Sequence, residues 1–375
     1  MSKEKSIFQK IRDVEVTGPL DGVTLVHWLR LLIRHGLRQT GIRQALIVAL
    51  VGIRNSRNRF LENMKYGARI RATKMEDPIF IIGHWRSGTT HLHNLFALDD
   101  QLAYPTHYEV YHPHTFLTTE EKYLESYSGG PKMRRPQDNI EVDRSSPAED
   151  EFALISLTKH ALYLSFIFPE HAQSFGDYLD FKNVSDRHVR QWQMSLDGFL
   201  RKVSTKHAGK RLVLKSPGHT ARIKLLLDLY PNAKFVHIHR NPYSVFRSVE
   251  HTQNKLLKKT PEPDEQALQH AKILATYTTL HNAFFEQKSL IPKGNFFEVG
   301  FTQLENDPVG EMQRIYDTLG LPAFEKLKPA LDAYAESVAN YKKNAFPALP
   351  EAVAERVAKE WHRSFTEWGY LLDQS

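Results

Sequence analysis

The stretch of this chain best suited to chemistry is Gly83-His-Trp-Arg-Ser-Gly-Thr-Thr90. Glycines bracket it, Arg86 sits inside it, and the hydroxyls of Ser87, Thr89 and Thr90 fill its second half. Glycine frees the backbone for a tight turn that aims successive N–H groups at one point, and such a nest holds an anion. A helix starting near Thr89 would add the positive end of its dipole. The guanidinium of Arg86 adds a full charge. The stretch therefore predicts a site for an anion.

The spacing of Gly83 and Gly88 is that of a Walker A loop, in which a lysine after the second glycine reaches the transferring phosphate. Position 89 is threonine, and the cation lies two residues before the second glycine instead. The run Leu212 to Leu214 also ends in Lys215, where an NTPase would place an acidic residue for Mg²⁺. A P-loop kinase or NTPase-like nucleotide-binding enzyme is therefore the alternative reading. A second cationic position follows. Arg240 closes the run Phe235-Val-His-Ile-His239, and Ser248 lies eight residues further on. Open α/β sheets bind ligands beyond the C-terminal ends of their strands, where Lys215 and Arg240 both fall. Ser248, two turns into the next helix, can offer its hydroxyl to the same ligand, and Pro242 stiffens that helix's start.

Strands must deliver these residues. Pro78-Ile-Phe-Ile-Ile82 is a short apolar, β-branched run ending at Gly83, the pattern of a central parallel strand, and Thr89 to Leu98 reads as the helix after it. The same grammar returns at Arg211–Leu214 with the helix Ile223–Tyr230, and at Lys234–His239 with a helix through Glu250. A fourth strand, Asn295–Val299, precedes a helix from Thr302 to Leu319. Strands alternating with helices predict an α/β fold: a doubly wound, mainly parallel sheet of P-loop-like topology flanked by helices. Proline- and glycine-rich stretches at Tyr127–Ser146 and Thr260–Asp264 read as loops, and Glu149–Ser165 as a helical stretch with a core-like face.

Residues 1–75 read as helices forming a layer on this core, and residues 76–375 as one large domain. Val23–Leu37 puts Leu25, Trp28, Leu29, Leu32 and Ile33 on one face with Arg30 and Arg34 opposite, and Arg43–Ile53 and Asn58–Ile70 follow suit. Packing on the core is the reading taken. The alternative is a cationic amphipathic helix lying on a membrane surface, which would give the protein peripheral membrane contact.

Composition narrows the classes. With 375 residues, 41% hydrophobic and 25% charged, the chain has the balance of a globular protein. It contains no cysteine, which excludes a disulfide scaffold, thiolate metal ligands and a cysteine nucleophile. A net charge of +7 suits an anionic ligand. No basic stripe interleaved with aromatics points to nucleic acid. Met1–Asp13 is polar and unlike a signal peptide, so a cytoplasmic setting is expected. His91/His93 and His237/His239 have no evident carboxylate partners and read as structural, so no metal is expected.

Taken in order, these motifs resemble the bacterial branch of the sulfotransferase superfamily, whose donor is 3′-phosphoadenosine 5′-phosphosulfate (PAPS). Arg86-Ser87-Gly88-Thr89-Thr90 is similar to the family's (K/R)-S-G-T-T loop. Leu214-Lys-Ser-Pro-Gly-His219, Ser146-Pro-Ala-Glu-Asp-Glu-Phe-Ala153 and Phe297-Glu-Val-Gly-Phe-Thr-Gln-Leu-Glu-Asn-Asp-Pro308 extend the likeness, which covers roughly Asp77 to Leu321. Two departures stand out. His91 occupies the place where many relatives stack an aromatic ring on adenine, and the relatives' C-terminal glycine-and-cation loop is absent, with Tyr341-Lys-Lys-Asn344 its only stand-in.

The resemblance implies that residues Arg86 to Thr90 hold the 5′-phosphosulfate, with Arg86 on the bridging oxygen. It places Arg240 and Ser248 on the 3′-phosphate and Lys215 beside the transferring group. For the general base it offers Glu109, in the position of a catalytic Glu of glycan sulfotransferases. His219 and nearby His114 are the alternatives, as a His near its ordinary pKa or a Glu raised by burial can serve. The implied reaction is metal-free, in-line sulfuryl transfer to the hydroxyl or amine of a small-molecule, lipid or glycan acceptor, carried by positioning and cationic stabilisation. Aromatic residues at Tyr104–Tyr127 and Tyr163–Phe168 hint at an apolar or carbohydrate acceptor.

Overall fold

A computed structural model describes residues 18–37, 41–126, 133–134, 141–257, 261–338 and 347–372. Its strands are β1 (Ile79–Ile82), β2 (Leu102–Ala103), β3 (Met133–Arg134), β4 (Glu141–Val142), β5 (Arg211–Lys215), β6 (Lys234–His239) and β7 (Phe296–Gly300). The chain clusters into two units. One comprises Met1–Glu76, Ala103–Pro131 and Asp143–Leu212; the other comprises Asp77–Leu102, Lys132–Val142 and Val213–Ser375.

The second unit is built on a sheet ordered β2-β5-β1-β6-β7. β1 runs parallel to β5, with Ile81 opposite Lys215, and parallel to β6, with Ile82 opposite His237. β6 runs parallel to β7, with His237 opposite Glu298. The four residues of β1 are fully buried because helices cover both faces, as their unbroken apolar run requires. Side chains alternate across the sheet. Ile79 and Ile81 join the core formed with Leu92, Leu95, Phe96, Met312 and Ile315, while Phe80 stacks on Phe235 at 5.5 Å. The expected doubly wound parallel sheet is present. Because β1 lies between β5 and β6, crossovers leave it to either side, and the crevice at its C-terminal end is the ligand position of such sheets.

Two details differ from the sequence reading. The helix expected over Thr302–Leu319 is two helices, Phe301–Asn306 and Pro308–Leu319. Pro308 cannot donate to a continuing helix, and Asp307 caps the second one by accepting from Gly310 N at 2.8 Å. Within the loop expected at Tyr127–Ser146, β3 and β4 form a short antiparallel ladder.

In the other unit, α1 (Leu25–His35) is followed by α2 (Gly41–Ala72), a single helix of 32 residues where the sequence suggests two. Asn55 and Ser56, which read as a break, act as staples. Asn55 Nδ2 donates to the carbonyls of Asp21 and Val23 at 2.7 and 2.9 Å, and Ser56 Oγ accepts from Leu25 N at 3.1 Å. Trp28 Nε1 donates to Ala45 O at 3.0 Å and ties the pair further on. The face expected on α1 is split. Trp28 and Leu31 are buried, but Leu29 and Ile33 are 45% and 86% exposed. The helical stretch expected at Glu149–Ser165 is likewise divided into Glu151–Leu157 and Leu164–Ile167, with Glu151 Oε1 accepting from Leu162 N at 3.1 Å.

Candidate active site

β1 delivers the glycine-bracketed loop directly. Gly83 has φ 146°, and a Cβ there would come within 2.4 Å of the Ile238 carbonyl on β6. Its N–H donates to Thr220 Oγ1 at 2.7 Å, which fixes the loop's entry. Gly88 has φ 104°, and a Cβ would meet the Phe301 ring at 2.4 Å. Both glycines are therefore demanded by close approach as well as by conformation. The helix Thr89–Phe96 starts at once, Leu92 N donating to Gly88 O at 3.1 Å, so its leading N–H groups border the loop. Ser87 Oγ donates to His84 O at 2.8 Å and closes the turn. Arg86, a non-glycine residue, is held at φ 70°. That conformation costs on the order of 1 kcal/mol and persists only where surrounding contacts dictate it.

The surrounding contacts bring the predicted cations together. Arg86 Nε donates to the buried Ser248 Oγ at 3.0 Å, and Arg240 Nη1 donates to Arg86 O at 3.3 Å. Lys215, buried at the end of β5, places Nζ 3.4 Å from Thr90 Oγ1. Arg86, Arg240, Ser248, Lys215 and Thr90 thus surround one loop. Burial pushes the Arg240 pKa down, Glu305 pulls it back up, and Arg86 lowers it again. Like charges gathered under partial burial favour an incoming anion. Phe301, which the sequence reading did not single out, packs on Gly88 and carries the Arg240 guanidinium 4.4 Å above its ring. Its position immediately after β7, at the ligand end of a strand, was the available signal.

The candidate bases are all enclosed. His219 lies in the turn Pro217–Ala221, buried, with its ring edge-on to Phe80 at 5.5 Å. In the other unit, Glu109 is the third residue of the short helix His107–Tyr111 and completes a capping box with Thr106. Its Oε2 accepts from Thr106 N at 2.9 Å, and its Oε1 accepts from Lys206 Nζ at 2.7 Å. Burial pushes the Glu109 carboxyl up, but His207 and Lys206 outweigh it and hold the group below its ordinary value. Glu109 is accordingly a cap and an ion-pair partner in this structure. His114 approaches Ser156 O at 3.1 Å, and burial, with Arg59 and Lys202, pushes it well below the usual histidine range. The aromatic residues Tyr108, Phe116, Tyr163 and Phe168 are buried as core, with Phe166 exposed.

His91 stacks on Tyr334 at 6.0 Å. Tyr341 to Asn344 lie outside the described residues. One expectation is corrected: His237 does have a carboxylate partner, Glu298 on β7, at 2.8 Å. The strand register sets the two directly opposite each other, a pairing that sequence separation hides. Among the described residues no group of three or more His, Cys, Asp or Glu is placed to hold a metal ion.

A parallel sheet with a glycine-bracketed anion loop after its central strand, ringed by arginine and lysine, is the architecture of a P-loop-like group transferase. A family model described as the sulfotransferase family matches residues 78–326, and the chain belongs to that family. It is an enzyme of sulfuryl transfer. The chain is 34% identical over 360 residues to the omega-hydroxy-beta-dihydromenaquinone-9 sulfotransferase Stf3 of Mycobacterium bovis, covering 94% of this chain and 89% of that one. The match to Stf3 of Mycobacterium tuberculosis is the same. The fold is similar to sulfotransferase STF9 from Mycobacterium avium, with a TM-score of 0.65 and 17% identity over 92% of this chain and 96% of that one. It is also similar to STF1 from Mycobacterium tuberculosis, with a TM-score of 0.61 and 17% identity over 90% of each chain.

Proposed function

We propose that this sulfotransferase takes its sulfuryl group from PAPS and delivers it to a hydroxyl on a long, apolar lipid acceptor. One observation carries the donor half: the Arg86 side chain meets Ser248, and the Arg240 side chain meets the Arg86 carbonyl. The 5′-phosphosulfate and 3′-phosphate of PAPS hang from one ribose, so the groups that hold them must be neighbours. ATP has no 3′-phosphate and would leave Arg240 and Ser248 idle. The donor set also fits, being cations, hydroxyls and helix N–H groups.

Bound there, PAPS supplies a sulfuryl group on a phosphate leaving group. Arg86 and Lys215 hold and neutralise oxygens on which charge develops, and Ser87, Gly88, Thr89 and Thr90 fix the orientation. Arg240 and Ser248 anchor the far phosphate. For the proton of the acceptor hydroxyl we choose His219, four residues beyond Lys215. Glu109 is already committed to Lys206 and His207. The acceptor half rests on the Stf3 relatives, whose name gives a hydroxylated menaquinone as substrate. The division near residue 75 into a helical extension and a transferase domain belongs to the same reading.

Calorimetry without metal tests the donor. Adenosine 3′,5′-bisphosphate should bind in preference to ATP with Mg²⁺, and Arg240→Ala should weaken it about 100-fold, the loss of a charge-assisted phosphate contact. Preference for ATP with Mg²⁺ would hand the site to the kinase-like alternative. His219→Gln should lower kcat by about 10²-fold with nucleotide affinity and melting temperature unchanged. Glu109→Gln should instead lower the melting temperature, because it removes the buried charge that Lys206 and His207 share and leaves Lys206 to Glu120 alone. If His219→Gln melts early and still turns over, its role is packing.

A further inference from the structure

Of the nineteen large hydrophobic residues exposed among those described, eleven lie between Val26 and Met64. On α2 they form a pattern. Ile42, Leu46, Leu50, Ile53, Phe60 and Met64 are 44–72% exposed, and at 3.6 residues per turn they fall within one arc of about 80°. Val26, Leu29 and Ile33 make a similar stripe on α1. Ala45, Val48, Val51 and Gly52 occupy the buried side of α2, so the exposed stripe is a second apolar face. An apolar strip of this length, broken only by Arg57, is unusual on a surface that meets only water.

Along α1 and the first two thirds of α2 the charged residues are of one sign. From Gly22 to Leu61 the sequence holds seven arginines and no aspartate or glutamate. At the same helical spacing Arg57 falls inside the arc and Arg43 and Arg54 at its margin. The two acids that flank this span, Asp21 and Glu62, are both buried, and Glu62 is paired with Lys202. An apolar stripe edged by guanidiniums suits acyl chains below and anionic headgroups alongside.

We propose that α1 and α2 dock this protein on the surface of an anionic lipid bilayer, with α2 lying in the membrane plane. Among the described residues no helix is long and apolar enough to cross a membrane, which fits a helix that lies on the surface. A second copy is the poorer occupant. A symmetric contact through this face would set one array of arginines against its duplicate. The proposal rests on no feature of the donor loop and stands apart from the acceptor reading.

Flotation of the full chain tests it, on vesicles of phosphatidylcholine with phosphatidylglycerol and on phosphatidylcholine alone. The chain should float with the anionic vesicles about tenfold better than with the neutral ones, and high salt should reduce the difference. Ile42→Asn with Leu46→Asn should weaken flotation about tenfold or more, and Arg43→Gln with Arg57→Gln about fivefold per arginine. Melting temperature and affinity for adenosine 3′,5′-bisphosphate should stay unchanged in both. If the apolar pair disturbs folding, the arginine pair still decides, since both side chains are exposed. Absence of flotation, or equal flotation on both vesicle types, overturns the proposal. So does a wild-type dimer that the Ile42→Asn, Leu46→Asn pair dissociates, which would make the second copy the occupant.

Discussion

Replacing Arg86 by alanine should lower kcat about a thousandfold, and Lys215→Met should lower it about a hundredfold. In the proposed reading both cations border the loop that takes the transferring group, and a preorganised charge there is worth about 3–4 kcal/mol when it meets charge that develops only in the transition state. Arg86 should be the more sensitive because it sits inside the loop and is tethered to Ser248, so its place is fixed before substrate arrives. Lys215 reaches the loop from β5 through Thr90. The nucleotide product should bind Lys215→Met almost normally, since the proposal puts that side chain on the sulfuryl group. Two cations serving one transition state should not contribute independently, so the double variant should lose less than the product of the single losses. Single-turnover rates with saturating donor would read this. Full multiplicativity, or unchanged turnover in Arg86→Ala, would move the chemistry elsewhere.

Stability should collapse between pH 6.5 and about 4. Burial pushes His84 down to about 4, against which its hydrogen bond to Trp85 is too weak, and burial with Arg144 and Arg54 pushes His112 to about 3. Both are neutral in the folded chain, whereas the unfolded chain takes up protons below 6.5. The unfolded state therefore binds more protons across this window, and stability is complete above 6.5 and falls as pH drops. Each group costs about 1.4 kcal/mol per pH unit until its folded value is reached. By pH 4.5 the two together remove about 5 kcal/mol, comparable with the whole stability of many domains. His114 and His281 act in the same direction. Glu298 adds a later loss. Burial pushes its carboxyl up, but His237 draws it down to about 2, so its contribution goes as pH falls from about 4.5 toward 2. Denaturant midpoints at pH 7.5, 6.0 and 5.0 would show the slope, and His84→Gln should flatten it. Constant midpoints across that range would refute the account.

The sheet was legible because its central strands are buried on both faces, and an unbroken apolar run is the one strand signal that needs no alternation. Lys234–His239 was placed to the residue and β1 to within one. The glycine-bracketed loop was legible because glycine spacing is a local property. Pairings made through strand register were not. His237 and Glu298 are 61 residues apart in sequence and face each other only because β6 and β7 are neighbours. The same holds for Phe301, whose aromatic type says nothing until Gly88 is seen beneath it. On α1, helical spacing was read correctly but the buried face was not. Periodicity marks an apolar face without saying what covers it, and exposed Ile33 and buried Leu31 are equally hydrophobic to a sequence.

The left-handed turn at Arg86 sets a limit on improving this protein. Glycine is the residue that would sit at φ 70° without steric cost, and glycine carries no charge. A search for thermally tougher variants would be drawn to this position and, with Arg86 in its proposed role, would return catalysts without their central cation. Fold stability and turnover are thus set against each other within one residue, and robustness must be sought in other parts of the chain.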